Sequence, residues 1–396
     1  MREVMHNPIY QSYKKMLGWK TIKDPEKFFN KLEKKYGNKV EKFFQLSGEH
    51  NSFENQQKVY DYKNQSAGFS LAIANFFIDP ILNSVTEIIE GKKYEGIDTI
   101  LDLGCESGIT SCYYAKLYPN AEITAIDINE NCIIRAKELK TRLGIKNVKF
   151  ITSDLSSFDD SNKYDLILCH NFLMEASGME REYKNVKELL KKNYIPDGGL
   201  SELIKKIITF LNDSGVLIAV ERLSQFNDYV NFMYTLQESG LNLDLDNSSL
   251  IKFSVSEYEE PEIMPMMYFK KEGDKVDPFN AALTMRLNDQ ISDISSIIYE
   301  IKHPGSSNNP TIEDLTFELI DDKKCIVEMK GEYQDGTEYI RIWKTKILTI
   351  IVHETTNGHL KTFYQPLLSE EDINLIVDSY EEAHADSGYC NVTVNR

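Results

Sequence analysis

The sequence predicts an α/β protein built on a doubly wound parallel sheet, and three observations carry that prediction. From Thr99 to Glu221, short apolar runs alternate with amphipathic stretches, which is the strand–helix–strand succession a parallel sheet requires. The first run, with Ile100, Leu101 and Leu103, ends in Gly104 and passes through Cys105, Glu106 and Ser107 to Gly108 before a helical pattern (Tyr113, Tyr114, Leu117) begins. The second run, Ala121 to Ile128, closes on Asp127, nineteen residues after Gly108. A glycine turn lets main-chain N–H groups approach a ligand, because glycine has no Cβ and tolerates positive φ, and the helix behind it adds a partial positive charge. An acidic side chain ending the neighbouring strand sits beside that turn, placed to accept from both hydroxyls of a ribose. Turn and acid together describe a nucleoside site.

The turn itself selects the nucleoside. A dinucleotide fingerprint reads G-x-G-x-x-G, with glycines serving a pyrophosphate. Here the pattern is Asp102-x-Gly104-x-x-x-Gly108, and Glu106 stands where the middle glycine would be. A carboxylate there repels a pyrophosphate but tolerates, or pairs with, a cationic amino acid tail. On these residues the chain resembles the class I S-adenosylmethionine-dependent methyltransferases, whose first motif is commonly D/E-x-G-x-G-x-G. The resemblance implies a seven-stranded Rossmann-like methyltransferase sheet and S-adenosylmethionine as cofactor. It implies cofactor contacts from Asp102, Gly104, Cys105, Glu106, Gly108, Asp127 and Ile128, and from Asp154 at the adenine amine with Leu155 beside it.

In chain order, residues 1–98 read as a helical cap. Asp24-Pro25 opens a helix with Phe28, Phe29, Leu32 and Tyr36 on one face and Gly37 as its stop, and Asp79-Pro80 opens another that stops at Gly91. The first 42 residues hold eleven Lys or Arg against five Asp or Glu, a solvated face in the ordinary case and a clamp for an acidic substrate in the sharper one. In the resembled family the stretch just before the first strand folds over the cofactor, which makes Tyr60 and Tyr62 candidates for its methionine end.

Residues 99–271 form the cofactor-binding domain, with strands expected near 99–103, 122–127, 147–151, 164–170 and 215–221 and helices near 108–118, 130–142 and 201–212. The third strand delivers Ser153-Asp154-Leu155 to the ligand edge. The fourth delivers Cys169, His170 and Asn171, and His170 is the expected general base and a cofactor neighbour, since imidazole titrates near neutral pH. The Asp/Asn-Pro-Pro-aromatic sequence of adenine amino methyltransferases is absent. The long polar insertion 175–200 reads as a partial lid. After an Asn-Asp-Ser-Gly turn comes the fifth strand, and the resemblance implies that the runs IKFSVSEYE and PMMYFKKEG complete the sheet with the antiparallel closing pair of that family.

Residues 272–396 predict a separate α+β accessory domain, for recognition of a substrate or partner or for dimerisation. A Pro/Ser linker (303–310) precedes alternating strands LTFELID, KKCIVEMKGEY, EYIRIWKTKILTIIVHE and LKTFYQPL, with turns at Asp335-Gly336 and Asn357-Gly358, and a final helix opens at Ser369. His353-Glu354 begins like H-E-x-x-H, but position 357 is Asn, so no metal site is expected.

Composition bounds the function. A net charge of −17 argues against a nucleic-acid partner. Six cysteines (Cys105, Cys112, Cys132, Cys169, Cys325, Cys390) form no C-x-x-C pair and suit reduced thiols of a cytoplasmic protein. No apolar run is long enough to span a bilayer, and the polar start MREVMHNPIY is not a signal peptide. The expected activity is methyl transfer to an acceptor, with O-methylation of a peptide or protein, a modified peptide natural product among them, suggested by the extra C-terminal sheet and the basic leading segment. The alternatives are a small-molecule acceptor, a non-catalytic S-adenosylmethionine-binding module, and a nicotinamide oxidoreductase, for which GCESGI lacks the glycine spacing. Oligomeric state is left open.

Overall fold

A computed structural model describes residues 7–48, 53–92, 95–178, 196–223, 226–254, 262–290, 298, 323–333, 336–345, 348–356, 360–385 and 391–396. Two compact units result, one from residues 1–182, 195–224 and 231–278, the other from 183–194, 225–230 and 279–396.

The first unit holds the parallel sheet. Its strands are β1 (Thr99–Leu103), β2 (Glu122–Asp127), β3 (Val148–Thr152), β4 (Tyr164–His170), β5 (Leu211–Val220), β6 (Asn242–Leu243), β7 (Ser249–Phe253) and β8 (Glu262–Lys270). Their order is β3-β2-β1-β4-β5-β8-β6, with β7 also on β8. β1 to β5 are parallel, and β8 lies antiparallel against β5. β6 and β7 pair one after the other along the same edge of β8, through Lys270–Phe269 and Met266–Glu262, so the seventh strand position is split in two. The parallel strands are buried along most of their length, as sheets covered on both faces must be. The Asn-Asp-Ser-Gly turn expected ahead of β5 is instead a bulge within it. Tyr164 pairs with Leu211 and Leu166 with Val216, which loops residues 212–215 out of register.

Among the described residues six helices precede β1: α1 (Pro8–Leu17), α2 (Pro25–Tyr36), α3 (Asn38–Gly48), α4 (Phe53–Asn64), α5 (Ala67–Phe77) and α6 (Asp79–Gly91). α2 forms as its signals require: Asp24 accepts from the Lys27 N–H at 2.9 Å, Pro25 is the first helical residue and Gly37 takes φ 57°. Asp79 does not cap α6. Only Ile78 separates α5 from α6, and the buried Asp79 carboxylate instead accepts from Tyr10 Oη at 2.7 Å and pairs with Lys14 Nζ at 2.6 Å, fastening α1 to α6. Between the strands lie α7 (Ile109–Leu117), α8 (Glu130–Leu143), α9 (Leu173–Ser177), α10 (Gly198–Phe210) and α11 (Phe226–Glu238); α12 (Pro278–Gln290) follows β8. The core joins α1 and α6 to α7, α8 and one sheet face through Tyr13, Val85, Cys112, Ile100 and Ile218. Most of the insertion read as a lid (179–195) lies outside the described residues.

The second unit has β9 (Lys324–Tyr333), β10 (Gly336–Lys344), β11 (Leu348–Thr355), β12 (Leu360–Pro366) and β13 (Asn391–Asn395) in the antiparallel order β12-β11-β10-β9-β13. The run EYIRIWKTKILTIIVHE, expected as one strand, is two: β10 folds back on β11 with Ile340 opposite His353. β13, which no sequence signal announced, completes the sheet beside β9. LTFELID, the 303–310 linker, Asp335, Asn357-Gly358 and Cys390 lie outside the described residues. α13 (Glu370–Ala385) opens as expected, with Ser369 Oγ accepting from Asp372 N–H and donating to its carboxylate. Its Ile376, Val377 and Tyr380 bury against Met329, Ile340 and Ile342 of the sheet. His353 is fully buried with Nε2 2.6 Å from Glu338 Oε1, and no group of three or more potential metal ligands exists among the described residues.

Candidate functional site

At the carboxyl ends of β1, β2 and β4 the first unit opens a cavity of about 670 Å³, within the range of small-molecule sites. Gly104 follows β1 at φ 72°, and a Cβ there would stand 2.6 Å from the Phe172 ring. The amides of Gly104 and Cys105 both donate to Ile126 O at 3.0 Å, and that of Glu106 donates to Asp127 Oδ2 at 2.9 Å. These three amides, expected to face a ligand, are spent on tying the turn to β2. What this part of the turn offers the cavity is side chains and a fixed Asp127. Glu106 takes φ 47°, a left-handed conformation uncommon outside glycine. Gly108 is not part of the cavity wall; a Cβ there would press on Ala136 and Phe150 at 2.7 Å, so its role is close packing of α7 against α8 and β3.

Asp127 accepts from Glu106 N–H through one oxygen and from Asn129 N–H through the other, at 2.9 and 2.8 Å. Burial raises its carboxyl above the usual range, and the two amides oppose that shift. Asp102, 1% exposed, accepts from Ser111 Oγ at 2.6 Å; burial pushes its carboxyl up to about 7 despite that bond. Ser153, Asp154 and Leu155 continue the wall beyond β3, where Ser153 N–H donates to Asp127 O and Asp154 is exposed. Ile128 is 44% exposed beside them, an aliphatic face placed to cover a flat ring.

α4 closes the other side of the turn. Lys63 Nζ lies 2.8 Å from Glu106 Oε1, and buried Asn64 donates to the same oxygen at 3.0 Å and to Tyr60 O at 2.9 Å. Burial alone would raise the Glu106 carboxyl, but Lys63 and Asn64 bring it below its ordinary value. Tyr60 lines the cavity and donates to Glu175 of α9 at 3.1 Å. Tyr62 does not reach the cavity. It lies about 200° around the helix from Tyr60 at 3.6 residues per turn, and packs on the cluster of Leu32, Val40, Phe43 and Phe69.

β4 ends in His170, whose Nε2 is buried without a hydrogen-bond partner and whose pKa burial lowers to about 4. Asn171 turns the chain at φ 52°, and Glu221 at the end of β5 accepts from the amides of Phe172, Leu173 and Met174 at 3.0, 2.8 and 3.4 Å. That carboxylate fixes the start of α9 and so places Phe172 and Glu175 in the wall. Cys105 and His170 line the cavity as well. Asp102, Gly104, Cys105, Glu106, Asp127, Ile128, Asp154, Leu155 and His170 therefore converge, while Gly108 and Tyr62 stand away from it. The residues missed from sequence are Lys63, Asn64, Glu175 and the cap made by Glu221. Among the described wall residues five carboxylates (Asp102, Glu106, Asp127, Asp154, Glu175) face two cations, Lys63 and Arg222. That balance suits a ligand with net positive charge.

Residues 96–197 match the family described as a methyltransferase domain. The release factor glutamine methyltransferase of Fusobacterium nucleatum is 35% identical over 124 residues, 30% of this chain and 35% of that protein. The malonyl-[acyl-carrier protein] O-methyltransferase of Bacillus anthracis is 33% identical over 87 residues, 22% of this chain and 31% of that protein. The matches thus span about a third of these curated relatives. Among solved structures, magnesium protoporphyrin IX methyltransferase from Synechocystis with bound S-adenosylmethionine is 16% identical, with a TM-score of 0.34, covering 51% of this chain and 82% of that one. The chain carries a class I, S-adenosylmethionine-dependent methyltransferase domain. The cofactor of such a domain is S-adenosylmethionine, and the acidic wall, the fixed Asp127 and the exposed Ile128 are chemically suited to it.

Proposed function

We propose that this protein is a methyltransferase that moves the methyl group of S-adenosylmethionine to a nucleophile presented inside the cavity. The observation that carries the reading is Asp127, held by two main-chain amides at the end of β2 with its carboxylate in the cavity wall. Asp127 holds the ribose hydroxyls, Asp154 and Leu155 meet the adenine with Ile128 against its face, and Asp102 and the Lys63–Glu106 pair receive the methionine end. The cofactor supplies an electrophilic methyl carbon on a sulfonium. With the cofactor held there, the wall residues would orient the acceptor's nucleophile toward that methyl carbon, and the acceptor's proton would pass to a base in the wall.

His170 is neutral above about pH 4 and so draws a proton only weakly throughout the working range. Glu175, oriented by Tyr60, is a second proton acceptor in the wall. Positioning then supplies most of the rate. The acceptor expected from sequence, a peptide or protein methylated on oxygen, draws support from the basic leading segment and the C-terminal sheet; the cavity's volume of about 670 Å³ supports a small molecule. Isothermal titration with S-adenosylhomocysteine tests the cofactor assignment. Charge-assisted hydrogen bonds contribute about 1.5–3 kcal/mol, so Asp127→Ala should weaken binding by about 10- to 150-fold. Equal affinity in the variant would remove the assignment.

A further inference from the structure

The cavity has two chemically different sides. Its strand-end side carries the carboxylates just described, whereas its cap side is walled mainly by Phe43 of α3, Ile73, Ala74 and Phe77 of α5, and Ile81 and Leu82 of α6, with Ser47 of α3 and Gln56 and Gln57 of α4 as the polar side chains of the cap helices beside them. Ile73, Ala74, Ile81 and Leu82 are almost fully buried, at 1%, 0%, 6% and 2% exposure, so this wall belongs to the fold's interior. We propose that the acceptor is a small, largely apolar molecule bearing an amine or hydroxyl, seated against α3, α5 and α6 with its nucleophile toward Tyr60 and Glu175. The proposal rests on the cofactor occupying the strand-end side.

Two arguments select this class. A peptide segment brings an amide N–H and a carbonyl with every residue, and each left unpaired on burial costs about 1–3 kcal/mol. Phe43, Ile73, Ala74, Phe77, Ile81 and Leu82 offer side chains that can pair with none of them. Charge decides the nucleophile. Among the described wall residues Lys63, whose ammonium lies over the Tyr60 ring at 5.3 Å, is already bound to Glu106 at 2.8 Å, and Arg222 is exposed, so an acceptor carboxylate beside Tyr60 meets the Glu175 carboxylate and a cation already neutralised by Glu106. A hydroxyl or ammonium donates to Glu175 instead. In the transfer, the acceptor's O–H or N–H proton goes to Glu175, the freed lone pair bonds to the methyl carbon, and the sulfonium becomes a neutral thioether.

Titration of the full chain, saturated with S-adenosylhomocysteine, tests this with 4-phenylbutylamine, 4-phenylbutanol, 4-phenylbutyrate and a capped Ala-Tyr-Ala peptide as probes. The amine and alcohol should bind about tenfold or more tightly than the carboxylate and the peptide. Ile78→Trp, which narrows the cap side, and Phe77→Ala, which removes part of its wall, should each weaken the amine and alcohol by about tenfold or more while leaving S-adenosylhomocysteine affinity unchanged. Should Ile78→Trp fail to fold, Phe77→Ala alone decides. The proposal is overturned if the carboxylate or the peptide binds best, if no probe binds the saturated protein, or if the amine and alcohol ignore the substitutions. Failure of S-adenosylhomocysteine to bind the wild type is seen in the first titration, and overturns the cofactor assignment together with this inference.

Discussion

Asp102 is the side chain whose charge sets how the cavity responds to pH. Its carboxyl, buried and pushed up to about 7, is half protonated at neutrality in the empty cavity. Because the folded value lies above the ordinary one of 3.8, this group's contribution to stability is present below pH 3.8 and is lost as pH rises through 7. A cationic ligand has the opposite preference, since it favours the ionised carboxylate. S-adenosylmethionine affinity should therefore rise by about tenfold from pH 6 to pH 8, with proton release, and Asp102→Asn should bind more weakly with a flat profile. Calorimetry in buffers of different ionisation enthalpy reads both; a pH-independent affinity in the wild type would separate Asp102 from the cofactor. Asp127 and Asp154 were legible from sequence because their places at strand ends follow from topology alone. That Lys63 faces the cavity and Tyr62 packs away from it is not legible in the sequence, because the face of α4 that looks inward depends on the helix's phase, which a weakly amphipathic stretch such as FENQQKVYDYKN does not reveal.

At the scale of elements, a short helix is held at the cavity by one carboxylate. α9 has five residues and, like any helix, begins with N–H groups that lack intrahelical partners. Glu221 supplies acceptors for three amides there from a site 1% exposed to solvent. Glu221→Ala leaves those amides buried and unpaired, and should cost about 1–3 kcal/mol of stability, with Glu221→Gln costing less because its amide oxygen still accepts. Chemical denaturation measures the loss. Both variants should also reduce methyl transfer through the displaced Phe172 and Glu175, while an unchanged midpoint in Glu221→Ala would deny the cap its role. Strand and helix positions in 99–221 were readable because period and length agree there, as in β1, β2 and β4. In the second unit the reading faltered where KTKIL interrupts an otherwise continuous β-forming run; the reversal between β10 and β11 carries neither Gly nor Pro at 344–348 to mark it.

For the whole molecule, the two units differ in what they give the cofactor. Each has its own sheet and its own apolar cluster, and every described residue of the cavity wall belongs to the first unit. A ligand that binds one folded unit raises that unit's unfolding free energy by about 2.7 kcal/mol at a hundredfold excess over its dissociation constant. For a unit of this size that amounts to about 5–10 °C. Scanning calorimetry of the full chain should then resolve two transitions, with S-adenosylhomocysteine moving one by that amount and leaving the other in place. Asp127→Ala, titrated to the same ligand concentration, should shrink the shift in proportion to its lost affinity, which ties the moving transition to the cavity rather than to a general effect of the ligand. A single transition that moves as a whole would mean that the units unfold together, so that the antiparallel sheet shares in the stability of the cofactor site although its described residues contribute no side chain to it.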